Sequence, residues 1–261
     1  MVNLVRRRED ITPWQAGEMS DPERQMRIDL AACYRLIAHF GLNELTYNHI
    51  SARIPGPREE ILINSFGLMF DEVCASNLVK VNLEGKVIAD PLGLGINEAG
   101  YVIHGAVHSG RPDVVCVIHT HSPAGMAVSA QADGLLPLTQ NAMLFHEQIG
   151  YHEYEGIAVD LDEQKKLVSD LGAFNAMILR NHGLLTAGRS IAEAFNAMFF
   201  LENACRAQVA AMAGGRQLNF PPEEAARKTA AISREHGLQA ADRDWPALRR
   251  LADRIDESYK A

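Results

Sequence analysis

The chain has 261 residues, 47% of them hydrophobic, and 33 Asp and Glu against 25 Lys and Arg give it a net charge of −8. The length suits one large domain or two small ones with an ample core, and the acidic balance excludes a dominant nucleic-acid footprint. Four cysteines with no CxxC spacing, the lack of an apolar leader, and no run near the ~18 apolar residues of a membrane span read as a cytoplasmic protein with buried thiols and no membrane partner.

Taken in chain order, Arg6-Arg7-Arg8 is diluted at once by Glu9-Asp10 and reads as a solvated arm over residues 1–20. Asp21-Pro22 predicts a helix start, with Asp21 as cap. Met26, Leu30, Cys33, Tyr34 and Ile37 then recur at helical spacing until Gly41. Strands are predicted over His49 to Ile54, Glu60 to Asn64, Val79 to Asn82 and Lys86 to Ala89, with Leu83-Glu84-Gly85 as a hairpin turn. Ser65-Phe66-Gly67 offers backbone N–H groups to an anion, although a plain turn explains it equally well. Gly93-Leu94-Gly95 begins like a nucleotide fingerprint, but Glu98 stands at the third glycine, so it reads as a loop.

A helix over Ala99 to Ser109 carries His104 and His108 four residues apart, a spacing that can hold a metal but lacks the intervening acid of an HExxH site. After the turn Gly110-Arg111-Pro112-Asp113 comes the run Val114-Val115-Cys116-Val117-Ile118-His119-Thr120-His121. A strand sends alternate side chains to one face, so His119 and His121 point the same way, as a chelating pair would. Ser122-Pro123 predicts a capped helix. His146-Glu147 starts like HExxH but has Gly150 at the second histidine, which removes it. Residues 131–160 read as loop with brief strands, and Leu161 to Leu171 as a helix. Strands at Asn175 to Leu179 and Leu184 to Ala187 flank an Asn181-His182-Gly183 turn that presents a third histidine. A capping box at Ser190 and Glu193 opens a long helix that stops at Gly214-Gly215. Helices over Pro222 to His236 and Trp245 to Tyr259 complete the chain. Three neutral imidazoles without a cysteine point to a divalent metal with an open coordination position; the bland alternative is three satisfied core or surface histidines.

The run Arg111-Pro112-Asp113-Val114…His119-Thr120-His121-Ser122-Pro123, followed by Leu179-Arg180-Asn181-His182-Gly183, resembles the class II aldolase/adducin family. Asn48-His49-Ile50-Ser51-Ala52-Arg53 and Ile63-Asn64-Ser65-Phe66-Gly67 look like its two substrate loops. The resemblance spans about residues 25–210. It implies a three-layer α/β/α sandwich around a mixed, mostly antiparallel nine-stranded sheet. It divides the chain into an arm (1–20), the family domain (21–215) and a helical extension packed on it (216–261). It further implies a divalent ion, Zn2+ first with Mn2+ or Fe2+ as alternatives, on His119, His121 and His182. A small-molecule substrate would meet His49, Ser51, Asn64, Ser65 and Gly67, in a homo-oligomer, commonly a tetramer.

The family's acid–base glutamate, nineteen residues before the first histidine, falls on Gly100, and its two phosphate-binding serines fall on Glu98 and Ala99. Glu98 is then either a substitute base or a cap for the helix that follows. The reading that results is a metal-dependent lyase, by retro-aldol cleavage or decarboxylation, on a non-phosphorylated hydroxy- or oxo-acid. An Fe(II) oxygenase on the same scaffold and a non-enzymatic adducin-like interaction module are the alternatives.

Overall fold

The computed structural model describes residues 19–156 and 161–261, with the side chains of 161–163 left out. The basic run at Arg6 to Arg8 and most of the N-terminal arm lie outside the described residues. Helix α1 (Asp21–His39) starts one residue earlier than expected: Ser20, not Asp21, is the cap, accepting from Glu23 N–H at 3.3 Å, and Pro22 sits in the first turn. Strands β1 (His49–Arg53), β2 (Glu60–Ile63), β3 (Val79–Asn82) and β4 (Val87–Ala89) follow, and Gly85 takes φ +83° in the β3–β4 hairpin. Next come α2 (Glu98–Gly110), β5 (Cys116–Thr120), α3 (Pro123–Ser129) and α4 (Gln140–Met143). After these stand β6 (Gly150–His152), α5 (Leu161–Leu171), β7 (Ala176–Leu179), β8 (Gly183–Gly188), α6 (Ile191–Met212) and α7 (Glu223–Ile255). The stretch read as loop with brief strands contains the strand β6 and, beyond that reading, the short helix α4; its residues 157–160 lie outside the described ones.

Among the described residues the sheet has eight strands rather than nine, in the order β4-β3-β2-β1-β5-β8-β7-β6. Every pairing is antiparallel except β6 with β7. Alternation along the strands sorts the core into two faces. Ile50, Cys116, Ile118, Ile178 and Leu184 join α1, α3, α6 and α7 in one cluster, while Val117, Met177, Leu185 and Ala187 meet α2 and α5 in another. Tyr101 of α2 completes the second face over Ile61, Ile63, Val79 and Val81. The four cysteines are free and buried.

The two expected C-terminal helices are one. Helix α7 runs on through residues 237–244, the gap between the two expected helices, and carries Pro246 in its interior. A proline costs one intrahelical bond and clashes with the preceding turn. Here packing outweighs that cost: Trp245, Leu248 and Leu251 pack on the main core, and Trp245 Nε1–H donates to Asp29 of α1 at 3.2 Å. None of the helices among the described residues is long and apolar enough to cross a membrane.

Candidate metal centre

The centre sits where β5 ends beside the turn into β8. His119 lies on the face of β5 that carries Val117, opposite His49 of β1 in register. His121 stands just past the strand end. His182 is carried by the expected turn: Asn181 adopts the left-handed region (φ +55°), which asparagine tolerates better than most residues. Gly183 must be glycine, because a Cβ there would stand 2.3 Å from Thr120 O, where β8 draws against β5. Ser122, which follows His121, stands at the N-cap of α3 as expected, but its hydroxyl donates to the buried carboxylate of Glu202 in α6 instead of accepting from the helix, which ties down the chain after His121.

Nε2 of His121 stands 2.9 Å from Nε2 of both His119 and His182. The ring centroids are 4.7–4.8 Å apart. Two nitrogens each ~2.0–2.1 Å from one ion at angles of roughly 90–110° would be about 2.9–3.4 Å apart, so the donor set fits a single small divalent cation. The outer nitrogens agree. His119 Nδ1–H donates to Leu184 O at 2.9 Å, and His121 Nδ1–H donates to Glu44 Oε2 at 2.9 Å. Each bond leaves the Nε2 lone pair free for a metal. Burial, reinforced by the neighbouring histidines, holds His119 well below its ordinary pKa and lowers His182 to about 4, so both are in the neutral, ligating form.

Helix α2 lays the stripe Gly100, His104, His108 on β1, where His49, Ser51 and Arg53 stand two residues apart. Each meets its counterpart. A Cβ on Gly100 would be 2.4 Å from Cε1 of His49, so the His49 ring fills the space a side chain at position 100 would need. Ser51 Oγ lies 2.7 Å from His104 Nδ1 and 2.8 Å from His108 Nε2, and Arg53 donates to His108 O. The spacing of His104 and His108 therefore serves a buried serine, not a metal. His49 is 2% exposed, and neither of its ring nitrogens has a partner. Burial first, and His121 second, lower it to about 4.

The expected substrate residues divide. Ser51 is consumed as described. Asn64 Oδ1 accepts from Tyr34 Oη at 2.8 Å, and Ser65 Oγ donates to Asn77 O at 2.8 Å. All three are buried. The possible anion loop is also closed: Phe66 N–H donates to Gly95 O, while Gly67 takes φ +89° as a turn residue. The Gly93–Gly95 loop is held by Asp90, whose carboxylate accepts from the N–H groups of Leu92, Gly93 and Gly95. Of the expected substrate side chains, His49 alone has ring or polar atoms without a partner among the described residues. Glu98 is not the cap of α2. It is exposed in the first turn of α2, and Asn97 is the cap, accepting from Gly100 N–H at 3.2 Å.

The carboxylate that does reach the centre, Glu44, was missed. It lies in the loop before β1, where no periodicity marks it; its main-chain N–H bonds to Asn48 Oδ1 and the next residue, Leu45, has φ +44°. A second gathering, His146, Glu147 and Glu223, is exposed on its acids, and Arg227 bonds to both carboxylates.

An α/β fold with three convergent imidazoles at the end of a central antiparallel strand presents a group that could hold a divalent metal. Residues 28–209 match the family described as Class II Aldolase and Adducin N-terminal domain, and the chain belongs to that family. It is 48% identical over 248 residues to a Pseudomonas aeruginosa protein named for aldolase class 2, covering 94% of this chain and 95% of that one. Rat alpha-adducin is 45% identical over 193 residues, which span 73% of this chain and 26% of adducin. An aldolase II superfamily protein from Pseudomonas syringae superposes with a TM-score of 0.91 at 49% identity, covering 94% and 98% of the two chains. L-fuculose 1-phosphate aldolase from Glaciozyma antarctica gives 0.81 at 29% identity, covering 92% and 93%.

Proposed function

We propose that the chain is a metal-dependent lyase that breaks a carbon–carbon bond in a non-phosphorylated hydroxy- or oxo-acid, by retro-aldol cleavage or decarboxylation. The convergence of three imidazoles, each with Nε2 turned inward, carries this reading. A bound divalent ion, Zn2+ ahead of Mn2+ or Fe2+, would supply Lewis-acid polarisation of substrate oxygens. His119, His121 and His182 would hold it, with Leu184 O and Glu44 fixing two of the rings. His49 offers the substrate one N–H and one lone pair from the same side of the sheet. Decarboxylation suits Gly100, because loss of CO2 leaves an electron pair in an adjacent carbonyl and asks for no proton removal from carbon.

The case against a phosphate ester rests on side chains. Ser51 and Ser65 have spent their hydroxyls, and Glu98 adds a negative charge at the start of α2. A phosphate dianion would meet repulsion where it needs donors. The likeness to L-fuculose 1-phosphate aldolase favours the rival reading, cleavage of a sugar phosphate. The likeness to alpha-adducin favours a module without chemistry. We place the site within a homo-oligomer, a tetramer, which light scattering would weigh directly.

The deciding experiment is a turnover panel with the Zn2+-loaded chain, following aldehyde, oxo-acid and CO2 release. The expected result is turnover of a hydroxy- or oxo-acid, with fuculose, rhamnulose and ribulose phosphates at least ~100-fold poorer in kcat/KM. Robust cleavage of any of these phosphates overturns the substrate class. A chain that binds no metal supports the module.

A further inference from the structure

We propose that His152, held by Asp170, is the outer partner of the third ligand, His182, and that it acts through one bound water. The inference rests on the three-imidazole reading above. Two ligands have direct acceptors for their outer N–H, Leu184 O and Glu44. His182 Nε2 faces His121, and its Nδ1 has no protein acceptor among the described residues. Its ring instead lines a cavity of ≈ 20 Å³, and His152 lines the same cavity. His152 ends β6 and is 6% exposed. Its Nδ1–H donates to Asp170 Oδ2 of α5 at 2.7 Å, which makes Nε2 the lone-pair nitrogen, and that Nε2 is buried without a partner.

A buried acceptor left unpaired is destabilising, because it has lost its water without gaining a partner. A water needs roughly 10–15 Å³ and two or more polar partners. The cavity has the volume for one water; in the proposed arrangement that water accepts from His182 Nδ1–H and donates to His152 Nε2, completing the chain Asp170, His152, water, His182. The backbone holds the two histidines in step, since His152 pairs with Leu179 and Arg180 N–H donates to His152 O at 2.8 Å. A carboxylate behind a metal histidine fixes its tautomer and raises its basicity; here the carboxylate acts two links away. His152 is thus a positioning residue for the metal.

The test is titration of the purified metal-free chain with Co2+, read by its visible absorption bands. His152→Ala and Asp170→Ala should weaken binding about 10–100-fold, the usual cost of losing an outer-shell partner, and shift the bands. His152→Gln, which keeps an acceptor, should stay within about threefold of wild type, as should Ile103→Val, a change in the apolar wall of the same cavity. Wild-type affinity and spectrum in both alanine variants overturns the proposal, as does an equal loss in Ile103→Val. If His152→Ala does not fold, Asp170→Ala decides alone, because Asp170 keeps its side chain 40% exposed and tolerates truncation. A wild-type chain that binds no Co2+ sinks this proposal and the metal reading together, whereas unchanged variants of a binding wild type sink this one only.

Discussion

Two histidine clusters share one face of the sheet, joined by the register that sets His49 opposite His119. In the first, His119, His121 and His182 turn Nε2 toward one point, and outward N–H groups of the first two meet fixed acceptors. In the second, His104 and His108 point at a single serine, and His49 packs on a glycine. Residue type is alike, whereas burial is not: His121 and His182 are half-buried, and His49, His104 and His108 are buried. What separates a ligand set from a polar core is convergence of lone pairs, and that depends on where strand ends and turns deliver the rings. The first cluster uses a strand end and an Asn-His-Gly turn; the second uses a helix stripe crossing a strand, which spreads its nitrogens along the contact.

The contrast is open to attack at several places. His121→Ala should abolish stoichiometric metal binding while leaving the thermal unfolding midpoint of the metal-free chain nearly unchanged, because the ring is half-buried outside the apolar clusters. Collapse of the fold instead would make the triad structural. Gly100→Ala forces a Cβ to within 2.4 Å of His49, so ring or helix must shift. Overpacking of this kind costs about 1–3 kcal/mol, read by urea unfolding, with metal affinity retained and turnover impaired.

His108→Gln sharpens the second cluster. Burial holds folded His108 at a pKa of about 3 against an ordinary 6.5, and His104 is lowered in the same direction by the same cause. The unfolded chain therefore takes up protons first as pH falls, and the stability due to the neutral ring is complete above pH 6.5 and lost on descending toward pH 3. Replacing one such group should flatten the dependence of unfolding free energy on pH by up to about 1.4 kcal/mol per unit between pH 6 and 4. An unchanged slope in the metal-free chain would show that His108 is not buried neutral. Smallest of all, Glu98→Gln should leave metal affinity and kcat within about twofold, since its exposed carboxylate lies outside the histidine gathering; a loss of 100-fold in kcat would restore it as the base.

Period-2 and helical spacing made the triad strand, the Asn-His-Gly turn and most element boundaries legible, because those patterns report backbone geometry directly. The partners of the site were not. Glu44 sits in an aperiodic loop, and Asp170 reaches His152 across eighteen residues, so neither pairing leaves a local mark. The resemblance placed Ser51 and Ser65 at the substrate, and no local pattern shows that their hydroxyls meet His104, His108 and Asn77 O inside the fold. Helix α7 ran on through Pro246 because contacts distant in sequence, such as Trp245 with Asp29, outweighed a local breaker.

The central claim, that His119, His121 and His182 jointly bind one divalent ion, is tested most directly by X-ray absorption at the metal edge of the Zn2+-reconstituted chain. The account predicts one ion per chain with three imidazole nitrogens at about 2.0–2.1 Å and oxygen completing the shell, falling to two imidazoles or to no bound metal in His182→Ala. A shell with one imidazole or none in the wild type, or an unchanged three-imidazole shell in His182→Ala, would contradict it.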